Sequence, residues 1–279
     1  MKGLHRIASC SAQLLWLAAL FCSAAAYSQP EPVSEKYLTI QVGTLPIIVT
    51  APHGGVLIPP DVPERTDSSA SKFVVVRDTN TDILAESTAR EIEKKMGGKP
   101  YLIVAHFARK CLDVNRAPAD AYESDNAKRY YEAYHEAIRR ACREIETRWR
   151  CGLLIDIHGQ AADADSVFRG TNNGATVAAI VDRSGAEAYT GPNSLLGQLE
   201  KREYNLVPAC GSPDREDSRF NGGYTVATYG GKQRAYRGFA AIQLEFGGKY
   251  RAKKQLDTTA TDLAEAVQVF AKAYLPPPK

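Results

Sequence analysis

Two histidines in this chain occupy matching places. In Pro46–Ile47–Ile48–Val49–Thr50–Ala51–Pro52–His53–Gly54–Gly55 and in Leu153–Leu154–Ile155–Asp156–Ile157–His158–Gly159, an apolar run leads straight into His and then Gly. Neutral imidazole is a common zinc ligand, so two such histidines are a candidate metal pair. Either alone reads equally well as a structural histidine at a strand end. Both together, in a chain with five histidines, favour a site. A catalytic zinc takes three protein ligands and keeps a position open for water, so the pair needs a third partner, normally a carboxylate. No acid closely follows His53. Asp78, in Val76–Arg77–Asp78–Thr79–Asn80–Thr81–Asp82, comes after another apolar run and is the expected third ligand. Asp82, one helical turn further on, competes with it. The plainer reading of both is an acid at a helix N-terminus, complementing the macrodipole. That reading is preferred for Asp82, and the ligand reading for Asp78. His106 ends an apolar run without a following Gly and is taken as structural. His135 falls inside a helical stretch and is expected to be solvated.

Two further groups have the chemistry to act beside such a metal. In Arg109–Lys110–Cys111–Leu112–Asp113–Val114–Asn115–Arg116, two arginines flank an Asp-x-Asn core. The guanidinium fork suits carboxylates and polarised carbonyls, and a neighbouring Asn adds a neutral donor. Such a loop is either a salt-bridged surface turn or, following a strand in the histidines' layer, a clamp for a substrate carboxylate. Glu245, in Gln243–Leu244–Glu245–Phe246–Gly247–Gly248, ends an otherwise apolar strand, where burying a carboxylate is costly without a task. Metal-assisted hydrolysis needs a carboxylate that takes a proton from water and passes it to the leaving nitrogen. A salt bridge to one of the arginines is the competing role for Glu245. The stretch Arg219–Phe220–Asn221–Gly222–Gly223–Tyr224 reads as a glycine turn, with Phe220 and Tyr224 available to shape a pocket.

The elements that must position these residues follow from periodicity. Residues 37–42 alternate like a half-buried strand, and 47–51, 101–105, 153–157 and 240–245 read as buried strands. Residues 73–76 and 175–181 are further apolar runs. Helical spacing marks 78–95 and the long amphipathic stretch 126–150, with Tyr130, Tyr131, Tyr134, Ile138, Ala141 and Ile145 on one face. Helices are also expected over 194–204 and 258–274, the last stopped by Pro276–Pro277–Pro278. Strands alternating with helices imply an α/β sheet with helices on both faces. Histidines at the C-terminal ends of its strands would sit where open α/β sheets bind ligands.

Composition narrows the function classes. The chain has 279 residues, 44% hydrophobic and 24% charged, with a net charge of +3. That charge is too small, and the basic residues too scattered, for a nucleic-acid partner. Neither GxGxxG nor Walker spacing occurs among its glycines. At the N-terminus, Lys2, His5 and Arg6 precede an apolar run over 14–22 and then Ala24–Ala25–Ala26. This is the pattern of an export signal cut after Ala26, and the run is short for a membrane span. Residues 1–26 are thus expected to be a signal peptide, 27–36 an exposed leader and 37–279 one catalytic domain, periplasmic or secreted and free of the membrane after cleavage. The mature chain would keep Cys111, Cys142, Cys151 and Cys210, an even number in an oxidising compartment. Four cysteines allow three connectivities; a local Cys142–Cys151 bridge would leave Cys111 to pair with Cys210, and the alternative is that one or more stay as buried free thiols.

Taken in order, Pro52–His53–Gly54–Gly55 with Ile58–Pro59, Asp78-x-x-x-Asp82-x-Leu84, Arg109 with Asp113–Val114–Asn115–Arg116, and Asp156–Ile157–His158 resemble the N-formylglutamate amidohydrolase family. The Asn-Arg and Asp-x-His elements are also similar to those of aspartoacylases and zinc carboxypeptidases. The resemblance spans roughly residues 46–250. It implies a single-domain mixed α/β sheet flanked by helices, of the phosphorylase/hydrolase-like kind. It implies Zn2+ held by His53, Asp78 and His158, Arg109 polarising the scissile carbonyl, Asn115 and Arg116 holding a substrate carboxylate, and Glu245 as general base. The expected activity is hydrolysis of the amide bond of an N-acyl amino acid or related acidic substrate, small molecule or peptide. An exported carboxypeptidase or peptidoglycan-type amidase is the alternative among enzymes. A non-catalytic carboxylate-binding protein is the alternative from another class.

Overall fold

The computed structural model describes residues 33–67, 73–231 and 238–277. The expected export signal and cleavage site, with Cys10 and Cys22, lie outside the described residues. So does most of the leader. In chain order the elements are β1 (Leu38–Gln41), β2 (Ile47–Ala51), α1 (Thr81–Met96), β3 (Tyr101–Ala105), α2 (Pro118–Ala121), α3 (Asp125–Trp149), β4 (Gly152–Gly159), β5 (Ser166–Gly170), α4 (Ala178–Ser184), α5 (Glu187–Thr190), α6 (Leu195–Lys201), β6 (Asn205–Val207), α7 (Tyr224–Tyr229), β7 (Phe239–Phe246) and α8 (Leu256–Tyr274). The seven strands form one sheet in the order β1-β3-β2-β4-β7-β5-β6. The β3-β2-β4-β7 centre is parallel, while β1 runs antiparallel to β3 and β5 antiparallel to β7. The expected mixed α/β sheet with helices on both faces is borne out.

Alternation along the central strands decides what each face does. Val49 of β2, Ile155 and Ile157 of β4, and Ile242 and Leu244 of β7 join one core with Leu84 and Ile92 of α1 and Leu263 and Phe270 of α8. Ile48, Leu154 and Ala241 face the other way and pack with Tyr134, Ile138 and Ile145 of α3 and Tyr229 of α7. Toward their C-terminal ends the strands on this second face turn polar: Thr50, then Asp156 and His158, then Gln243 and Glu245, all nearly fully buried. Parallel pairing sets Thr50 opposite Asp156, Asp156 opposite Gln243, and His158 opposite Glu245.

The helices begin and end where local chemistry directs. Ser124 caps α3 by accepting from the Asn126 amide, and Arg150 closes it in a left-handed conformation. Its tyrosine and isoleucine face is buried as the spacing predicts, but His135 lies on that face too and is only 1% exposed. The expected solvated histidine is thus a core residue, hydrogen-bonded to Tyr229 Oη and the Val114 carbonyl. The run 175–181 coils into a 3-10 turn and α4, and 73–76 forms neither strand nor helix.

The expected disulfides are absent: Cys111, Cys142, Cys151 and Cys210 are free. The sheet itself separates one pair, since Cys111 lies in the α3-side core while Cys210 packs against the α1–α8 side. Cys142 is buried among the α3 core residues. Cys151 comes after the Arg150 cap, close to the backbone of Gly238. Burial pushes all four thiols up, which keeps them as unreactive small apolar groups.

Candidate metal centre and its cleft

Three segments converge at the C-terminal ends of the parallel strands. His53 follows β2, and its carbonyl accepts the Asp78 amide at 3.1 Å, which brings the segment before α1 alongside. The Asp78 carbonyl in turn accepts the Thr81 hydroxyl at the start of α1. The two glycines after His53 are required by close approach. A Cβ on Gly54 would lie 2.4 Å from the Asp82 amide nitrogen, and one on Gly55 2.2 Å from the His106 carbonyl carbon. His158 enters from β4, two residues after Asp156 on the same strand face.

The result is a buried cluster of His53, Asp78 and His158. His53 Nδ1 and His158 Nδ1 are 3.2 Å apart, and Asp78 Oδ2 is 3.3 Å from each. Ligands placed tetrahedrally at about 2.0–2.1 Å from a zinc ion would stand about 3.3 Å from one another. The outer nitrogens are held as well: His53 Nε2 lies 2.7 Å from Asp113 Oδ1, and His158 Nε2 2.9 Å from Asp156 Oδ2. Donating Nε2–H to a carboxylate leaves the Nδ1 lone pair of each ring aimed at the shared centre. Asp156 is fixed in turn by the Thr50 hydroxyl at 2.6 Å. Two nitrogen lone pairs and a carboxylate oxygen converging in a buried space are a donor set that fits a cation. His53, Asp78 and His158 would hold it.

The charges around this centre are strongly biased. Burial alone would raise the Asp78 carboxyl, but hydrogen bonds to His158 and His53 hold it well below the usual carboxylate range. Asp113, wholly buried, is likewise held low by His53 and the Arg109 guanidinium. His158 is pushed up against its burial, chiefly by Asp156. Glu245 behaves oppositely: burial, with Asp78 adding to it, raises its carboxyl to about 7 against the pull of His158 and Arg109. Glu245 Oε1 accepts from Gln243 Nε2 at 2.8 Å and lies 3.9 Å from His158 Nδ1.

The remaining sequence candidates gather round the same cleft. Arg109 Nε donates to Asp113 Oδ2 at 2.9 Å, and its Nη1 stands 3.6 Å from Asp78 Oδ1. Asn115 is tightly held: its Oδ1 accepts the Thr225 amide at 2.8 Å, and its Nδ2 stands 3.2 Å from His158 Nε2. Arg116 is half-buried on the cleft wall. Asp82 stays outside the cluster, in the first turn of α1, 3.5 Å from Arg77. His106 is remote, hydrogen-bonded to the Thr39 hydroxyl. The cleft has a volume of about 930 Å3, and Val74, Val76, Phe220 and Tyr224 contribute apolar surface to its lining. Sequence reasoning gave no role to Asp113 and Asp156 as partners of the histidines. Asp156 carried a signal, since period-two alternation in Ile155–Asp156–Ile157–His158 puts it on the face of His158. The Asp113–His53 contact joins residues 60 apart and exists only in the folded chain.

The fold is that of a mixed α/β sheet carrying a candidate metal centre at its strand ends, and its likeness to known proteins points to the amidohydrolases. Residues 45–127 match the family model of N-formylglutamate amidohydrolase. That span holds His53, Asp78, Arg109, Asn115 and Arg116, with His158 and Glu245 beyond it. The chain is similar in fold to the crystal structure of N-formylglutamate amidohydrolase from Ralstonia eutropha JMP134, with TM-score 0.54 and 18% identity over 85% of this chain and 98% of that one. A gene product of Agrobacterium tumefaciens gives TM-score 0.50 and 13% identity over 85% and 93% of the two chains. No curated protein matches the chain. The resemblance to N-formylglutamate amidohydrolases drawn from the sequence motifs is therefore borne out.

Proposed function

We propose that this protein is an exported, zinc-dependent amidohydrolase that cleaves the amide bond of an N-acyl amino acid or a related acidic substrate. One observation carries the reading. Three ligand atoms stand 3.2–3.3 Å apart, their histidines braced by buried carboxylates, beside an acid raised to about 7. Two histidines and a carboxylate with an open position are a usual donor set for catalytic zinc. When bound, the metal supplies Lewis acidity toward water and a carbonyl oxygen. The chain's own groups do the rest. Glu245 is able at neutral pH both to accept a proton and to return it to a leaving nitrogen. Arg109, held by Asp113 and Asp78, presents a fixed positive charge to a carbonyl oxygen that gains negative charge. Arg116 offers its guanidinium to a substrate carboxylate, and Asn115, fixed by the Thr225 amide, orients that part of the wall.

Export rests on the signal pattern of residues 1–26, and it puts the enzyme in the periplasm or outside the cell, acting on a soluble carboxylate-bearing substrate without nucleic acid or membrane. The cleft favours one alternative substrate. About 930 Å3 lies in the upper range of pockets that enclose drug-sized ligands, more than an N-formyl amino acid fills. A longer acyl chain or a peptide, as for an exported carboxypeptidase or peptidoglycan-type amidase, would use that space.

The test is a screen of N-acyl amino acids and short peptides against zinc-loaded protein, with chelator-treated protein as control and metal analysis of both. Stoichiometric zinc and chelator-sensitive turnover are expected. A metal-free protein that binds carboxylates without turnover would make it a binding protein instead and end this reading.

A further inference from the structure

Arg251 follows β7 and has no part in the mechanism above, yet it borders the cleft. Its side chain makes three hydrogen bonds, all to backbone carbonyls. Nε donates to Phe246 at 2.8 Å, Nη1 to Thr79 at 2.7 Å and Nη2 to Gln160 at 2.9 Å. These three acceptors belong to three separate segments. Phe246 is the residue after Glu245, Thr79 the residue after Asp78, and Gln160 lies two after His158. The contact is returned at the backbone, where Asn80 Nδ2 donates to the Arg251 carbonyl at 2.8 Å. The guanidinium approaches the chain closely at Gly159. A Cβ there would fall 2.5 Å from Arg251 Cζ and 2.6 Å from Nε, so glycine next to His158 is what admits the fork.

We propose that Arg251 is a positioning residue that sets the spacing of Asp78, His158 and Glu245 by tying their three segments together. A planar guanidinium is suited to this task. Its N–H groups diverge in fixed directions, whereas a lysine ammonium presents its donors from one point and cannot span three carbonyls at once. The alternative is a plain structural staple, which would contribute to stability and leave the centre's geometry unaffected.

The inference rests on the metal reading above, and the experiment separates the two. Zinc affinity is measured by competition with a chromophoric chelator for the wild type, Arg251→Ala, Arg251→Lys and the control Arg202→Ala. The control removes contacts with Glu265, Asp262 and Gln198, none of which lines the cleft. Thermal unfolding of each metal-free protein is measured in parallel. Removing a residue that braces metal ligands typically weakens metal affinity about 10- to 100-fold. A loss of that size is expected for Arg251→Ala and a smaller one for Arg251→Lys, with none for Arg202→Ala. Wild-type affinity in Arg251→Ala, or in Arg251→Lys should the alanine variant not fold, overturns the inference even if both melt earlier. A wild-type protein that binds no zinc removes the metal reading as well, so the two failures are distinct.

Discussion

Two histidines, His158 and His135, are buried to nearly the same degree, at 2% and 1% exposure, and burial has opposite consequences for them. His158 stands among Asp156, Asp78 and Glu245, and the acids push its imidazole up despite the loss of water. His135 stands among tyrosine rings and a backbone carbonyl, and burial lowers it to about 4. One buried imidazole is surrounded by groups that favour a positive charge, the other by groups that leave it neutral. Burial alone therefore does not decide the charge of a buried histidine; the sign of the field its neighbours impose does.

The sharpest way to break this contrast is to remove the ring in the acidic setting. His158→Ala deletes one of the three candidate ligand atoms and takes away the ring that contacts both Asp78 and Asp156. Metal content by elemental analysis should fall to background, and amide hydrolysis should fall with it by a factor of at least about 1,000, the scale of removing a central electrostatic group. Retained stoichiometric metal would mean that His158 is not a ligand. Next in size is Glu245→Gln. It keeps shape and burial but removes the proton acceptor, so metal should remain while turnover drops about 100- to 10,000-fold, the range for general acid–base catalysis. A fully active Glu245→Gln enzyme would sink the assignment. Smaller again is Asp156→Asn, which keeps a hydrogen-bond acceptor for His158 Nε2 but removes the charge. Zinc titration should show affinity weakened about 10- to 100-fold with the fold intact.

Legibility in the sequence divides along the same line. The central strands were readable because they are β-branched runs buried on both faces, and β2 and β3 fall on the predicted residues. The two strand-end histidines and Asp78 were readable because each follows an apolar run and so reaches the same sheet edge. Their electrostatic setting was less readable, since it depends on Asp113 arriving from a loop 60 residues after His53. Strands β5 and β6 gave little signal. β5 is Ser166–Val167–Phe168–Arg169–Gly170, whose buried polar residues meet partners distant in the sequence, Ser166 with Asn205 and Arg169 with Glu216. His135 was misjudged because its polarity outweighed its position. It lies four residues after Tyr131 and three before Ile138, on the stripe that α3 buries.

His135 supplies the mildest and most specific test of the contrast. Its folded-state value of about 4 lies below the 6.5 of an exposed imidazole, so the unfolded chain binds the proton more readily. The stability it contributes is therefore fully present above pH 6.5 and is lost as pH falls from there toward 4, where the ring becomes charged in the folded state too. At about 1.4 kcal/mol per pH unit this acid penalty amounts to about 3 kcal/mol. His135→Gln removes the titration while retaining a donor for the Val114 carbonyl. Urea unfolding of metal-free protein at pH 7.5 and pH 4.5 should show the wild type losing more stability between the two than the variant, by up to this amount. At pH 7.5 the variant should bind zinc as the wild type does, because the imidazole it loses faces Tyr229 and Val114 rather than the ligand cluster. An equal loss of stability in both proteins would show that His135 is not held neutral. Loss of zinc would show that the two histidine environments are less separate than their opposite fields indicate.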